Sequence, residues 1–597
     1  MFYPEKMSKV TIAAPKAHMR QVIDVLYSLN ALHIQDYRER EFSIGSPLAD
    51  AEKVSEMLLD INAVKSIAGI TGSSKKAKMS LSQAAHAVKE LREKASSLYD
   101  ERKTLQESDT EKKEKYLLFL RDAGIRNFSS LSGYKSLAMV TGYIKKPLKA
   151  EGIILFSRNE AKAPAVAFFR KGEAKALSEI RSCIAEEPVP VDGRGSIDAA
   201  IEAIKSRKAE TAARLAEINR AIAGLGKERD KILSIEAMLL EAIEKDEAPL
   251  RFAVSRNAFV IQGWVPAKNV AKLEEKIRAI TDEAFMKAAE TEDAPTKLDN
   301  PRVAKPFEFF LNLYSLPRHD ELDPTWLILL SFPVFYGFMI GDIGYGAVIF
   351  ALAALLRNKM RNIRALIDIS ILSAFSTIFF GFIFGEFFGT EEIFGYHLTP
   401  FVHRIEDVNG MIVASAMLGL LHLNAGFILG FINEKHHHGI VKAVMTKLSW
   451  MTLEASGIVL FLNALGYLEI IPAIPAIFGV IAIGMIAKSE GIGGIFELPS
   501  LIANVLSYSR LAAIGLASAS LALVVNRLAE PLFAMGVVGA VFGVMILIIG
   551  HSINIAMGIM DAFLQSMRLH YVELFGKFYK GAGKPYKPFG QKKSEVE

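Results

Sequence analysis

An arginine stands about eleven residues into an otherwise apolar run, Pro499–Asn526. At ~1.5 Å per helical residue, Arg510 lies roughly 16 Å along it, near the middle of any bilayer the run crosses. A guanidinium cannot deprotonate, and from that depth it cannot easily snorkel to water. Charge at a bilayer centre costs at least ~2.5–3.5 kcal/mol on insertion scales, so such a residue is a functional candidate. The next apolar run holds His551, Asn554, Gly558, Asp561, Gln565 and Arg568, spaced 3, 4, 3, 4, 3. That spacing lays all six along one helical stripe about 25 Å long. A polar stripe ending in arginine, on an apolar helix, fits a hydrated ion path or a contact with another charged membrane element. A set of interhelical hydrogen bonds holding a bundle together is the alternative.

Other chemistries lack their residues. Gly581-Ala-Gly-Lys584 has neither the upstream glycine nor the following Ser/Thr of a phosphate-binding loop, and runs into Pro585. His436, His437 and His438 are consecutive, which suits convergence on one metal ion poorly. No metal and no cofactor is expected. Cys183 is alone, which excludes an internal disulfide. Residues 1–300 hold 49 basic and 44 acidic residues, too balanced for a nucleic-acid binder. They are about 31% charged, whereas residues 301–597 hold 21 of each sign and are about 14% charged. The chain of 597 residues therefore reads as a soluble half followed by a membrane half.

The positioning elements follow from hydropathy. Apolar runs lie at about 325–341, 342–356, 365–386, 409–432, 448–467, 472–487, 498–526 and 533–567, against a need for ~20 residues per crossing. The first two are short, and Gly341–Gly346 separates them; they form either two spans or one helix of 30 residues. Eight spans with a cytoplasmic N-terminus place Arg357–Arg364, Asn433–Lys447 and the tail from Lys577 inside, and all are basic. The loop Glu386–Asp407, with five acids and one arginine, then falls outside, as the positive-inside rule asks. No signal peptide is read at the N-terminus. The expectation is a multi-pass cell-membrane protein with both termini cytoplasmic.

Residues 1–295 read as a cytoplasmic dumbbell of two α/β lobes joined by an antiparallel two-helix coiled coil. Strand patterns at Lys9–Pro15 and Leu32–Asp36 flank a helix, Lys16–Leu29. Apolar residues then recur with heptad spacing at Val54, Met57, Ile61 and Val64, and again from Ile197 to Leu239, with Lys208 and Arg229 in polar slots. The expected proximal lobe is 1–46 with 248–295, the helices about 47–121 and 195–247, and the distal lobe about 122–190. A five-residue echo links the lobes: Val140-Thr-Gly-Tyr-Ile144 and Ile261-Gln-Gly-Trp-Val265. Residues 296–324 read as an interfacial linker, 325–580 as the membrane domain and 581–597 as a cytoplasmic tail.

Asn504–Leu516, Ser566–Glu573, Phe332–Gly346 and Gly583–Pro588 together resemble the large membrane subunit of V/A-type rotary ATPases, called subunit I or a. The likeness covers essentially the whole chain, in the archaeal or bacterial form. It implies a stator beside a turning ring of proteolipid c-type subunits, with two offset ion half-channels. Arg510 matches that family's essential arginine and Arg568 its second, which Gln565 would help hold. The implied partners are this ring, peripheral stalk subunits (E/G or E/H type), a central-stalk socket subunit and the lipid bilayer. The chain itself would bind no ATP and hold no catalytic residue; the transported ion, proton or sodium, is set mainly by the ring.

On this orientation His551, Asn554 and Asp561 line the outer half-channel. Glu497 lies near the inner one, with Ser507 on the Arg510 face. Two positions depart from eukaryotic members: Ser518 stands eight residues after the essential arginine in place of histidine, and Gly558 stands ten before the second in place of glutamate. Asp561, on the same face, is read as the substitute for the latter. A polytopic secondary transporter with a cytoplasmic coiled-coil regulatory domain is the alternative reading, and it expects inverted repeats.

Overall fold

The computed structural model describes residues 3–590 apart from 39–41, 73, 75, 78, 107–109, 132–133, 147–153, 157–162, 187–194, 290–292 and 394. The last seven residues of the expected tail lie outside these. The described residues divide into two compact units: one of residues up to Ser43 with Arg251–Gly590, the other Ile44–Leu250.

The first unit opens with β1 (Met7–Pro15), α1 (Met19–Leu29) and β2 (His33–Gln35). Buried Val22, Ile23 and Leu26 give α1 its inner stripe.

The second unit contains α2 (Ala51–Ala68), α3 (Leu81–Gln106), α4 (Thr110–Asp122), β3 (Leu137–Ile144), β4 (Ile154–Phe156), β5 (Pro164–Arg170), α5 (Ala174–Cys183), β6 (Ile184–Glu186), α6 (Ile197–Leu225) and α7 (Arg229–Glu247). The stretch expected as the first helix of the coiled coil, about 47–121, is three helices. Gly69, at φ +63°, ends α2, and the chain returns as α3, so α2 packs on both α3 and α7. Val54, Met57, Ile61 and Val64 are buried there against Val88, Leu91, Ile232, Ile235 and Leu239. Farther along, Tyr116, Leu117 and Leu120 of α4 meet Ile197 and Ile201 of α6. Both polar slots find partners on the first run: Lys208 pairs with Glu114 at 2.7 Å, and Arg229 donates to the Thr71 carbonyl at 2.8 Å. The strands form an antiparallel sheet ordered β4–β5–β3–β6.

The first unit resumes with β7 (Ala258–Pro266), α8 (Val270–Arg278) and β8 (Phe285–Ala289). β1 lies between β8 and β7, and β2 pairs with the other edge of β7. The five-residue echo now has a physical meaning. A Cβ on Gly263 would stand 2.5 Å from the His33 carbonyl, and one on Gly142 would stand 1.8 Å from the Ala185 carbonyl. In each sheet the glycine of the echo admits a neighbouring strand that any side chain would push away.

Next come α9 (Glu308–Tyr314), α10 (Thr325–Ile340), α11 (Ile343–Arg357), α12 (Arg364–Phe384), α13 (Val408–His438), the short α14 (Ile440–Ala443), α15 (Ser449–Ala464), α16 (Ala473–Phe496), α17 (Leu498–Ser507), α18 (Ser509–Phe533) and α19 (Gly536–Arg568). Among the described residues, five helical stretches are long and apolar enough to cross a membrane: Arg361–Phe384, Val408–His438, Ala473–Phe496, Leu498–Phe533 and Gly536–Phe578. α10 and α11 are shorter. Gly341, at φ +45°, ends α10, and Asp342 caps α11 by accepting the Tyr345 amide at 2.9 Å. Gly337 of α10 and Gly346 of α11 both abut the same stretch of α12, around Ala374–Ile378. The chain therefore reverses at Gly341–Asp342, and the two do not form one long helix.

The segment after α19 returns to the β1–β7 sheet. The Tyr586 hydroxyl donates to the Ala31 carbonyl, the Phe589 amide to the Leu32 carbonyl at 2.7 Å, and the Lys587 amide to His33 Nδ1 at 2.9 Å. Burial, then the positive charges of Arg251 and Lys587, hold the His33 pKa below its ordinary value, although Asp36 opposes them. A neutral imidazole in the fold and a protonatable one outside it make this contact complete above about pH 6.5 and weaker as pH falls through the lower folded value. Amide exchange of residues 583–590, corrected for intrinsic rates, should rise as pH falls below about 6.5. His33→Gln should flatten that dependence; a wild-type profile flat with pH would refute it.

Candidate functional site

Arg510 lies on the first turn of α18, just past a tightened turn at Tyr508 that joins α17 to α18. Its side chain is 34% exposed, so the guanidinium reaches the surface of this chain. Nη1 stands 3.7 Å from Oε1 of Glu573, whose side chain is only 3% exposed. The Glu573 Oε2 and the Arg510 Nη1 are both buried without a hydrogen-bond partner among the described residues. Ser507 and Arg568 also act on the Glu573 carboxylate. Sequence reading missed this residue. A single π-turn, Leu569–Leu574, follows α19 and shifts the face on which Glu573 emerges, so 3-4 counting from Arg568 does not find it. Beside the pair, the Tyr508 hydroxyl and His422 Nδ1 are 2.7 Å apart, the His422 and His570 rings 4.7 Å apart, and His570 Nε2 lies 2.6 Å from Ser331 Oγ.

The α19 stripe changes environment along its length. His551, Asn554 and Gly558 are buried in the bundle, Asp561 and Gln565 are half-buried, and Arg568 is exposed. At the buried end the side chains are linked. His551 bonds the Tyr345 hydroxyl at 2.8 Å and Asn526 Oδ1 at 3.0 Å. Asn554 donates to the Tyr345 hydroxyl and to the Ser518 carbonyl, each at 2.9 Å. These bonds tie α19 to α11 and α18, as interhelical bonds do in a membrane. At the other end the Gln565 Oε1 is buried without a partner, so no bond joins it to Arg568 within this chain. Asp561 has no hydrogen bond or ion pair among the described residues.

The linked end opens on a cavity of about 910 Å³. Its walls include Glu386, Glu391, His403, Asn526, Arg527 and Glu530. Asn526 is thus shared between the cavity and the His551–Tyr345–Asn554 network.

A second set of acids belongs to the opposite side of Arg510 along the chain. Glu497 is exposed at the junction of α16 and α17, and Ser507 donates to the Ala503 carbonyl at 3.0 Å. Two further carboxylates, absent from the sequence reading, lie inside apolar helices. Glu454 is 5% exposed and accepts from Asn424 at 2.9 Å, and its Oε2 has no partner. Glu490 accepts from Trp450 at 3.5 Å. The signal was available for Glu454, an isolated acid in the run 448–467, the same test that singled out Arg510, whereas Glu490 stands beside Lys488 just past the run 472–487.

The arrangement is therefore one arginine at the surface of the bundle, with linked polar side chains leading away on one side and, on the other, buried Glu454 with exposed Glu490 and Glu497. Among the described residues there is no cluster of His, Cys, Asp and Glu suited to hold a metal ion. The V-type ATPase 116kDa subunit family matches residues 198–398 and 496–591. An A-type ATP synthase subunit I from Archaeoglobus fulgidus is 29% identical over 679 aligned positions, covering 100% of both chains. One from Methanocaldococcus jannaschii is 31% identical, covering 69% of this chain and 67% of its own. One from Halobacterium salinarum is 27% identical over 99% of each. A crystal structure of the cytoplasmic N-terminal domain of a subunit I, homolog of subunit a of V-ATPase, aligns over 47% of this chain at 18% identity, with a TM-score of 0.30, too slight a likeness to bear on the fold.

Proposed function

Because the chain belongs to the V-type ATPase 116kDa subunit family, we propose that it is the ion-conducting stator of a rotary ATPase, set against a turning ring of proteolipid subunits. It is a multi-pass membrane subunit of a larger complex. The observation that carries the finer reading is Arg510: a permanent charge in an apolar helix, one-third exposed and backed by a buried carboxylate. A stator arginine must be presented outward yet held in place. An opposite charge within ~4–6 Å favours the ionised form of a carboxylate, so Arg510 would drive the ion off each ring site as it passes. The same charge would block direct leakage between two half-channels.

The outer half-channel would run from the cavity through Asn526, His551, Tyr345 and Asn554 toward Asp561, Gln565 and Arg568. Support for this comes from the acidic wall of the cavity and the unbroken hydrogen-bonding from Asn526 to Asn554. Glu454, Glu490 and Glu497 would serve the inner side. Eight crossings, with both termini cytoplasmic, agree with the reversal at Gly341–Asp342 and with the basic loops. Residues 44–250, with their paired helices and terminal sheet, would be the strut that peripheral stalks grip. This chain would bind no ATP.

Two experiments test the reading. Purified from detergent-solubilised membranes, the chain should bring a proteolipid ring and stalk subunits with it; a chain that purifies alone, with transport activity of its own, would be a transporter instead. Asp561→Asn should lower passive ion flux through a membrane sector stripped of its soluble part. Unchanged flux would remove Asp561 from the path.

A further inference from the structure

Arg404 lies in the segment joining α12 to α13, yet its side chain is 0% exposed. Nη1 donates to the carbonyls of Ile340 at 3.0 Å and Gly341 at 3.3 Å, and to Glu386 Oε2 at 2.9 Å. Nη2 donates to the Met339 carbonyl at 2.8 Å. The guanidinium also lies over the Phe384 ring, 4.8 Å from its centre. Three of its acceptors are the last carbonyls of α10, the negative end of that helix, which have no partner within the helix itself. Burying a guanidinium is costly unless it is paired and bonded, and here the two terminal nitrogens are, while Nε is not. The planar group is therefore fixed by its fork, at one angle.

The remaining face of the fork meets α18. A Cβ added to Gly515 would stand 2.7 Å from Arg404 Nη2 and 3.4 Å from the Met339 carbonyl. No side chain fits between them. Arg510 lies five residues before Gly515 on the same unbroken helix, about 7.5 Å along the axis.

We infer that Arg404 is a positioning residue for Arg510: locked to the ends of α10 and α12, it seats α18 at Gly515 and so fixes the height at which the Arg510 guanidinium meets a passing ring carboxylate. This rests on the stator reading above. Gly515 is the seat because only a bare Cα lets the helix approach the guanidinium so closely. α18 is the one element that must not slide, since the ring presents its carboxylates at a fixed depth.

The test uses the whole complex in inverted vesicles, with ATP-driven ion uptake and ring content measured together. Gly515→Ala should lower uptake about tenfold or more at unchanged ring content, since a displacement near 1 Å can cost ~100-fold. Arg404→Lys keeps the charge but loses the fork, so it should lower uptake as well, and because both changes break the same seat the double variant should lose no more than the worse single one. A purely structural role predicts additive losses instead. Wild-type uptake in Gly515→Ala or in Arg404→Lys, or a double variant whose losses add, would overturn the inference. Arg510→Ala run in parallel separates the two failures. If it stays fully coupled, the stator reading falls and this inference with it; if it is inactive while Gly515→Ala is normal, only the inference falls.

Discussion

Arg510→Ala in the assembled complex should abolish ion-coupled ATP turnover while leaving the ring bound. An opposite charge close by shifts a carboxylate by ~1–3 pKa units, so its loss should slow ion release from the ring by about 10- to 1,000-fold. Failed insertion would not explain the result, since replacing a membrane arginine by alanine relieves a cost of at least ~2.5–3.5 kcal/mol. The same variant should raise passive ion leakage, because the barrier between the two sides would be gone. ATP-driven uptake in inverted vesicles, with ring content as control, is the measurement. Full coupling would end the assignment of Arg510 as the stator charge.

The second large effect is expected from a residue outside the 3-4 pattern. Glu573→Gln keeps the shape of the side chain and removes its charge, leaving Arg510 with a neutral neighbour at 3.7 Å. An ion pair whose one partner is partly exposed contributes about 1 kcal/mol, so uptake should fall about fivefold. Glu573→Asp should restore much of it by returning the charge, an outcome that packing alone does not predict. Wild-type uptake in Glu573→Gln would show that Arg510 is held by other means.

How much of this could be read in advance depended on whether the signal was local. Arg510 and the α19 stripe stood out because charge and polarity in an apolar run need only a helix period to be noticed. Tyr345 and Asn526, which join His551 to its neighbours, did not stand out, being ordinary in their own helices. Their role exists only once α11 and α18 pack on α19. Glu573 was hidden by a π-turn, which breaks the period that located the others. In the second unit the heptads of α2 announced one apolar seam, whereas α2 has two neighbours, because Gly69 turns the chain back beside it. Arg404 reads as one basic residue in an acidic loop; its burial is a property of two helix ends and the face of α18 brought together.

The strap from Tyr586 to Phe589 has a consequence for biosynthesis. It bonds residues 31–33, about 555 positions earlier, to a segment translated only after α19. Closing so long a loop is slow, and little rewards it before the ends meet. The first lobe would therefore wait, its tail contacts unfilled, until every membrane helix has left the ribosome. A chain stalled or clipped before residue 586 would keep that surface open, an exposed mark by which a quality-control protease could tell unfinished subunits from finished ones.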